Sequence, residues 1–315
     1  MIKKAITATF LSLTLGMSAA FAADIGDKET AIKIPINEWT GQHLSAHILG
    51  QLFNKLGYKT EYVTAGAVPQ FAAIAEGDLH VQPEAWENNV GDIYPKAVEE
   101  GKIKVVGSEG LSAREGWMYP PYMKEKCPGL PSWEALYDCA QVFGNAETFP
   151  KGRLVTYPAD WGTRSKDLVA QIKLPFVAVP GGSEGAMVAE IKSAYDAKEP
   201  MIMMFWEPHW IHADYKFDWI DWPKDDKACL EKSGGVAVPE CGFQQADVLK
   251  VAWSGFEEKW PAAYALLEKF ELTNDEQNPL ILKVDSEKQK LEEVAAGWIE
   301  ANEATWKPWV EAASN

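Results

Sequence analysis

Residues Met201–Trp210 read Met-Ile-Met-Met-Phe-Trp-Glu-Pro-His-Trp. Six apolar residues in a row, bounded by turn formers, fit a strand buried on both faces. Pro208 cannot donate to a ladder, so the strand is expected to stop before it. Trp206 and Glu207 then stand at the carboxyl end of a core strand, where open α/β sheets hold their ligands. An indole beside a carboxylate suits an organic cation.

The same arrangement recurs along the chain. Ala31–Ile36 predicts a first strand, followed by Trp39 and by a helix from an N-cap at Thr40 to Leu56, ended by Gly57. A strand at Thr60–Thr64, a helix at Val68–Glu76 and a third strand at Leu79–Val81 lead to Gln82-Pro83-Glu84-Ala85-Trp86. Strand–helix–strand alternation predicts a parallel sheet. Trp39 and Trp86 then share one rim of it. After a short strand at Ile103–Val106, a new segment begins at Gly116-Trp117-Met118-Tyr119, and prolines mark an irregular connection. A second series has strands at Arg153–Tyr157 and Phe176–Val179, a helix capped by Ser183, and the Met201 strand. Its first exit is Pro158-Ala159-Asp160-Trp161-Gly162-Thr163-Arg164. Val248–Trp253 returns the chain to the first unit, and Ser286–Gln289 has the form of a capping box.

Two lobes are expected from the length: residues 23–112 with 213–315 as lobe 1, and 113–212 as lobe 2. Residues 1–22 read as a signal peptide, with Lys3 and Lys4 before an apolar stretch too short to span a bilayer and Ala20-Phe21-Ala22 at the cleavage site. No cysteine lies near that site, so the exported chain is expected to be free of a lipid anchor and periplasmic. The formal charge of −16 argues against nucleic acid and anionic lipid as partners. Cys127, Cys139, Cys229 and Cys241 form two local pairs, and two short-loop disulfides are expected in an oxidising compartment.

A methylated ammonium has no N–H to donate, and aromatic faces are its fitting partners. Trp39, Trp86, Trp161 and Trp206 at strand exits, with Trp117 as a fifth, are therefore the candidate box. A ligand oxyanion would take the Gly162 and Thr163 amides or Arg164; a ligand hydroxyl would take Asp160 or Glu84. The rival classes are weaker. His43 with His47, and His209 with His212, have helical spacing for zinc, but neither pair forms a metal motif, and no nucleophile or nucleotide signature is present. A carbohydrate site would show more Asn, Asp and Arg beside its tryptophans. The acidic Asp214–Asp226 segment matches no calcium loop. No enzyme activity, metal or cofactor is expected.

The segments Trp39-Thr40, Pro83–Trp86, Pro158–Arg164 and Phe205-Trp206-Glu207-Pro208-His209 make the chain resemble the periplasmic substrate-binding components of ABC transporters for glycine betaine, proline betaine and choline. The resemblance implies a two-lobe, type II-like periplasmic binding protein fold, with parallel-core sheets flanked by helices and a ligand cleft between the lobes. It further implies a monomer that delivers a quaternary-ammonium solute to an inner-membrane permease. Trp86 and Trp206 match box positions, Trp39 and Trp117 match positions aromatic in the choline branch, and Trp161-Gly162 matches the carboxylate-holding turn of the betaine branch. The chain departs from these patterns at Gly41, Val90, Thr163 and Arg164. Glycine betaine or proline betaine is the expected ligand, with trimethylamine N-oxide, choline or dimethylsulfoniopropionate as alternatives.

Overall fold

The computed structural model describes residues 25–87, 90–222, 243 and 245–314. The expected leader and the Cys229–Cys241 pair lie outside the described residues. Nine strands are described: β1 (Ile32–Ile36), β2 (Thr60–Thr64), β3 (Val81–Trp86), β4 (Ile103–Tyr119), β5 (Gly152–Thr156), β6 (Phe176–Pro180), β7 (Met203–Glu207), β8 (Asp218–Trp219) and β9 (Gln245–Trp253). β1 and β2 form a parallel pair. The others form one sheet in the order β3-β9-β4-β7-β5-β6, with β8 beside β4.

The sheet is parallel only at its β7-β5-β6 end. β4 runs antiparallel to both β9 and β7, and β3 antiparallel to β9. The expectation of parallel cores thus holds at β1–β2 and β5–β7, while the middle is antiparallel. β4 is also far longer than the four residues read from its sequence. Register shifts between Val105 and Gly107 and between Ser108 and Ser112 let it continue as one bulged strand into the segment expected to begin anew at Gly116. At Gly110 the backbone sits at φ +103°, and an added Cβ would lie 2.9 Å from the Leu272 carbonyl oxygen, so glycine is required.

β7 behaves as its sequence demands. Met203, Met204, Phe205 and Trp206 are all buried, and the strand ends at Glu207, before Pro208. Helices flank the sheet, and one apolar cluster runs from Ile32 and Ile34 through the helix Thr40–Lys55 to Met203–Phe205, Leu266, Trp298 and Ile299. Cys127 and Cys139 form a disulfide that closes the proline-rich connection.

Two helix starts differ from expectation. Trp39, not Thr40, occupies the N-cap of Thr40–Lys55, and no side chain caps it, because the Thr40 hydroxyl donates instead to Asp285 at 2.6 Å. The capping box is not at Ser286, which closes the helix Asn274–Asp285; it is at that helix's start, where Thr273 and Glu276 exchange hydrogen bonds. Ser286 follows a continuing helical turn, so its side chain has no fresh N-terminus to serve. Thr273→Ala removes one of these bonds, worth about 1 kcal/mol. The expected outcome is a melting temperature lower by about 2–4 °C in thermal unfolding followed by circular dichroism.

Candidate functional site

The ends of β3, β5 and β7 converge on a cavity lined by Trp39, Ala67, Gln70, Phe71, Glu84, Trp86, Val90, Glu115, Tyr157, Trp161 and Trp206. Its volume is about 30 Å³, where one water needs about 10–15 Å³. The space is real but small. Tyr157, Trp161 and Trp206 meet around one corner with ring centroids 5.6 Å apart in each pair, Trp206 edge to face with both others and Tyr157 tilted at 58° to Trp161. Trp39 meets Trp161 at 5.2 Å and 66°. Such tilted contacts are a favoured aromatic geometry and leave ring faces free to meet a guest.

Glu84 organises the opposite wall. It is 1% exposed, and its Oε1 accepts the indole N–H of Trp39 at 2.7 Å and of Trp86 at 3.0 Å. Its Oε2 accepts from the Ser45 hydroxyl at 3.0 Å and the Gln277 amide at 2.8 Å. One carboxylate therefore fixes two indoles that lie 47 residues apart in sequence. Burial pushes its pKa up, and hydrogen bonds from Trp86, Trp39, Ser45 and Gln277 oppose that shift. The β3 strand carries Pro83 through a register irregularity between Gln82 and Ala85, which a ladder with an obligatory donor at each position would not tolerate.

Glu115 and Trp206 face each other across the β4–β7 ladder. Directly opposed residues project to the same side of a sheet, and both line the cavity. The Tyr157 hydroxyl donates to Glu115 at 2.7 Å. Full burial, and then the neighbouring Glu115 charge, drive the Tyr157 pKa well above its ordinary value.

Five of the expected residues thus meet around one space: Trp39, Glu84, Trp86, Trp161 and Trp206. The others do not. Trp117 is fully buried elsewhere, with its Nε1 on Ser165 and its ring against Trp222 at 4.9 Å. Gly162, Thr163 and Arg164 line a neighbouring cavity with Lys166 and Met204. The exposed Thr163 hydroxyl donates to the Asp167 carboxylate at 2.6 Å, and the Arg164 guanidinium lies over the Phe243 ring at 4.8 Å. Asp160 is exposed. Glu207 lines a third, polar hollow with Arg114 and His212. Tyr157 and Glu115 were not singled out from sequence. Tyr157 sits at a strand exit like the tryptophans and was within reach of the same reasoning. Glu115 becomes visible only through the β4–β7 register.

The histidine pairs do not act as pairs. His43 bonds the Asn37 carbonyl, whereas His47 stacks on Tyr62. His212 bonds the Trp206 carbonyl at 2.9 Å. His209 accepts from the Ile211 N–H at Nδ1, so its Nε2–H donates to Glu184 at 3.0 Å. Glu184, His209 and Asp285 bring potential ligand atoms within 4.8 Å of one another. Yet Thr40 and His209 already supply donors to Glu184, as Thr40 and Trp210 do to Asp285. The cluster is satisfied by its own hydrogen bonds. Burial lowers the His209 pKa to about 3 and raises that of Glu184 to about 7.

Glu84→Leu leaves the Trp39 and Trp86 N–H groups without their acceptor, at about 1–3 kcal/mol for each buried donor. A loss of at least about 2 kcal/mol is expected in denaturant unfolding, and an unchanged midpoint would refute the organising role given to this carboxylate.

Residues 30–301 match the model of the substrate-binding domain of ABC-type glycine betaine transport systems. The chain is 28% identical over 300 residues, 93% of its length and 95% of the relative's, to a trimethylamine N-oxide-binding protein of Pelagibacter ubique. Among solved structures it is similar to an ABC-transporter choline-binding protein in complex with choline, at a TM-score of 0.74 and 17% identity, covering 89% of this chain and 91% of that one. A glycine/betaine/L-proline-binding protein from Borrelia burgdorferi gives 0.73 and 21%, covering 90% and 100%. The fold is therefore the α/β, two-lobe fold of periplasmic binding proteins. The chain belongs to the substrate-binding domain family of ABC-type glycine betaine transport systems.

Proposed function

We propose that this protein captures trimethylamine N-oxide in the Glu84–Trp206 cavity and hands it, as a monomer in the periplasm, to an inner-membrane ABC permease. The observation that carries the choice of ligand is the polar lining. It consists of Glu84, Glu115, Gln70 and Tyr157, with no basic side chain among the described lining residues. A ligand carboxylate would meet two acidic walls there, whereas the groups expected to hold one, Gly162, Thr163 and Arg164, line another cavity. An N-oxide needs much less. Its methylated nitrogen takes the ring faces, and its single oxygen takes a donor. Trp161 Nε1–H, buried without an acceptor among the described residues, is such a donor. The small volume and the similarity along nearly the whole chain to a trimethylamine N-oxide-binding protein support the same reading.

Each aromatic face contributes about 2 kcal/mol to a desolvated cation. Four or five faces together reach roughly the 8 kcal/mol that micromolar affinity requires. Choline, whose hydroxyl can donate to Glu115, is the second reading. The homologous solute-binding proteins give no support to an enzyme activity.

Calorimetric titration of the purified protein with trimethylamine N-oxide, choline, glycine betaine and dimethylsulfoniopropionate tests the ligand. Tightest binding is expected for trimethylamine N-oxide; glycine betaine binding more tightly would overturn the assignment. Trp86→Ala and Trp206→Ala should each weaken binding about tenfold, the equivalent of roughly 1.4 kcal/mol. Trp117→Phe, outside the cavity, should leave affinity within about twofold by the same titration.

A further inference from the structure

Two carboxylic acids, not one, stand behind the aromatic box. Glu84 receives four donors, as described above. Glu109 on β4 is 0% exposed, and neither of its carboxyl oxygens has a partner at hydrogen-bond geometry among the described residues; the one donor close by, the Ser45 hydroxyl, gives its single proton to Glu84 at 3.0 Å. The charged groups that face it are Glu84 from β3 and Lys250 from β9. Lys250 does not pair with it. Its ammonium gives two of its three N–H groups to the Glu268 and Phe270 carbonyls at 3.0 and 2.6 Å, forms no ion pair with Glu109, and has Glu268, Lys269 and Glu271 around it. The polar neighbour on the helix side is Ser45, whose hydroxyl donates to Glu84.

An ionised carboxylate with no donor in a dry interior is strongly disfavoured, whereas the same group carrying a proton is nearly neutral to bury. Multiple donors on a carboxylate favour its anion. The two acids differ in that one respect, and they interact, so their protons are distributed between them as a pair. We propose that Glu109 holds the proton and Glu84 the charge, so that a single negative charge lies behind the indoles of Trp39 and Trp86. Glu109 is then only a neutral neighbour of that charge, a part that a neutral glutamine can take over. By staying neutral it keeps Glu84 anionic, and Glu84 keeps both indole N–H groups turned away from the cavity and the ring faces turned toward the ligand. Desolvation first, and the Glu84 charge second, hold the Glu109 pKa well above the usual carboxylate range, in the same direction as the geometry. A carboxyl whose folded pKa is raised stabilises the fold below its unfolded pKa, and that stability is lost as pH rises through the folded value.

The binding arm of the test rests on the proposed ligand; the other two arms do not. In the wild-type protein without ligand, infrared spectroscopy at neutral pH is expected to show a neutral-carboxyl C=O stretch that Glu109→Gln removes. Thermal unfolding from pH 6 to 10 should show E109Q gaining on the wild type as pH rises, since the variant has no carboxyl left to ionise. Trimethylamine N-oxide should bind E109Q within about twofold of wild type at pH 7, while E84Q loses at least tenfold. Three results would overturn the assignment: no neutral-carboxyl band lost in E109Q, parallel pH–stability curves, or a tenfold loss of affinity in E109Q at pH 7. Glu109→Met serves the same comparisons if E109Q does not fold, because a neutral acid without hydrogen bonds is replaceable by an apolar side chain of similar size. If no methylated amine binds any variant, the ligand reading fails, and the infrared and stability arms still decide where the proton is.

Discussion

One buried carboxylate sets the shape of the box. An indole ring in a cavity wall has a polar edge and an apolar face, and only the face attracts a methylated cation. Glu84 takes the N–H edges of Trp39 and Trp86 on a single oxygen. The two rings are thereby held at their edges, with their surfaces left for a guest. The same carboxylate is itself held by Ser45 and by Gln277, which arrives from a helix 193 residues further along the chain. Removing any of these donors weakens the anion that the others depend on, because a buried charge is tolerated only while it is fully hydrogen-bonded.

The long strand β4 joins the parts that this carboxylate organises. Its first part pairs with β9 and its last part with β7, so one continuous backbone connects the β3 side of the cavity to the Trp206 side. The bulges near Gly107 and Gly110 let it bend between the two pairings. The β4–β7 register then brings Glu115 opposite Trp206. A slip of one residue would exchange that acid for Arg114 or Gly116 and turn the strand's side chains to the other face.

A second polar cluster ties the same segments together behind the rings. Glu184 accepts the Thr40 N–H at 2.9 Å, next to Trp39 in sequence, and the Nε2–H of His209, three residues after Trp206. Asp285 accepts from the Thr40 hydroxyl and the Trp210 indole. Trp39 and Trp206 are thus each anchored through their own chain neighbours, and the donors in this cluster are spent on structure.

β7 was legible in the sequence because it is a short apolar run ended by a turn former, a pattern that burial alone dictates, whereas β3 was read only as far as Val81 and in fact runs through Gln82, Pro83 and Glu84 to Trp86. The tryptophans at their exits were legible for the same reason, as was the Cys127–Cys139 disulfide, from its local spacing. Trp117 shows the limit of that reasoning. It also sits in an apolar stretch beside a glycine, but it lies inside β4 instead of at a strand end, and the ring packs into the core. The capping box at Thr273 carried as clear a signal as Ser286, and only the course of the preceding chain distinguishes them. What the sequence by itself determined was the set of buried strands and the supply of indoles at their ends, since hydrophobic period and turn chemistry act over a few residues. What only the tertiary structure decided was which indoles share a space and which acids stand beside them. Those relations depend on strand register and on hydrogen bonds between residues tens to hundreds of positions apart, and no local pattern encodes them.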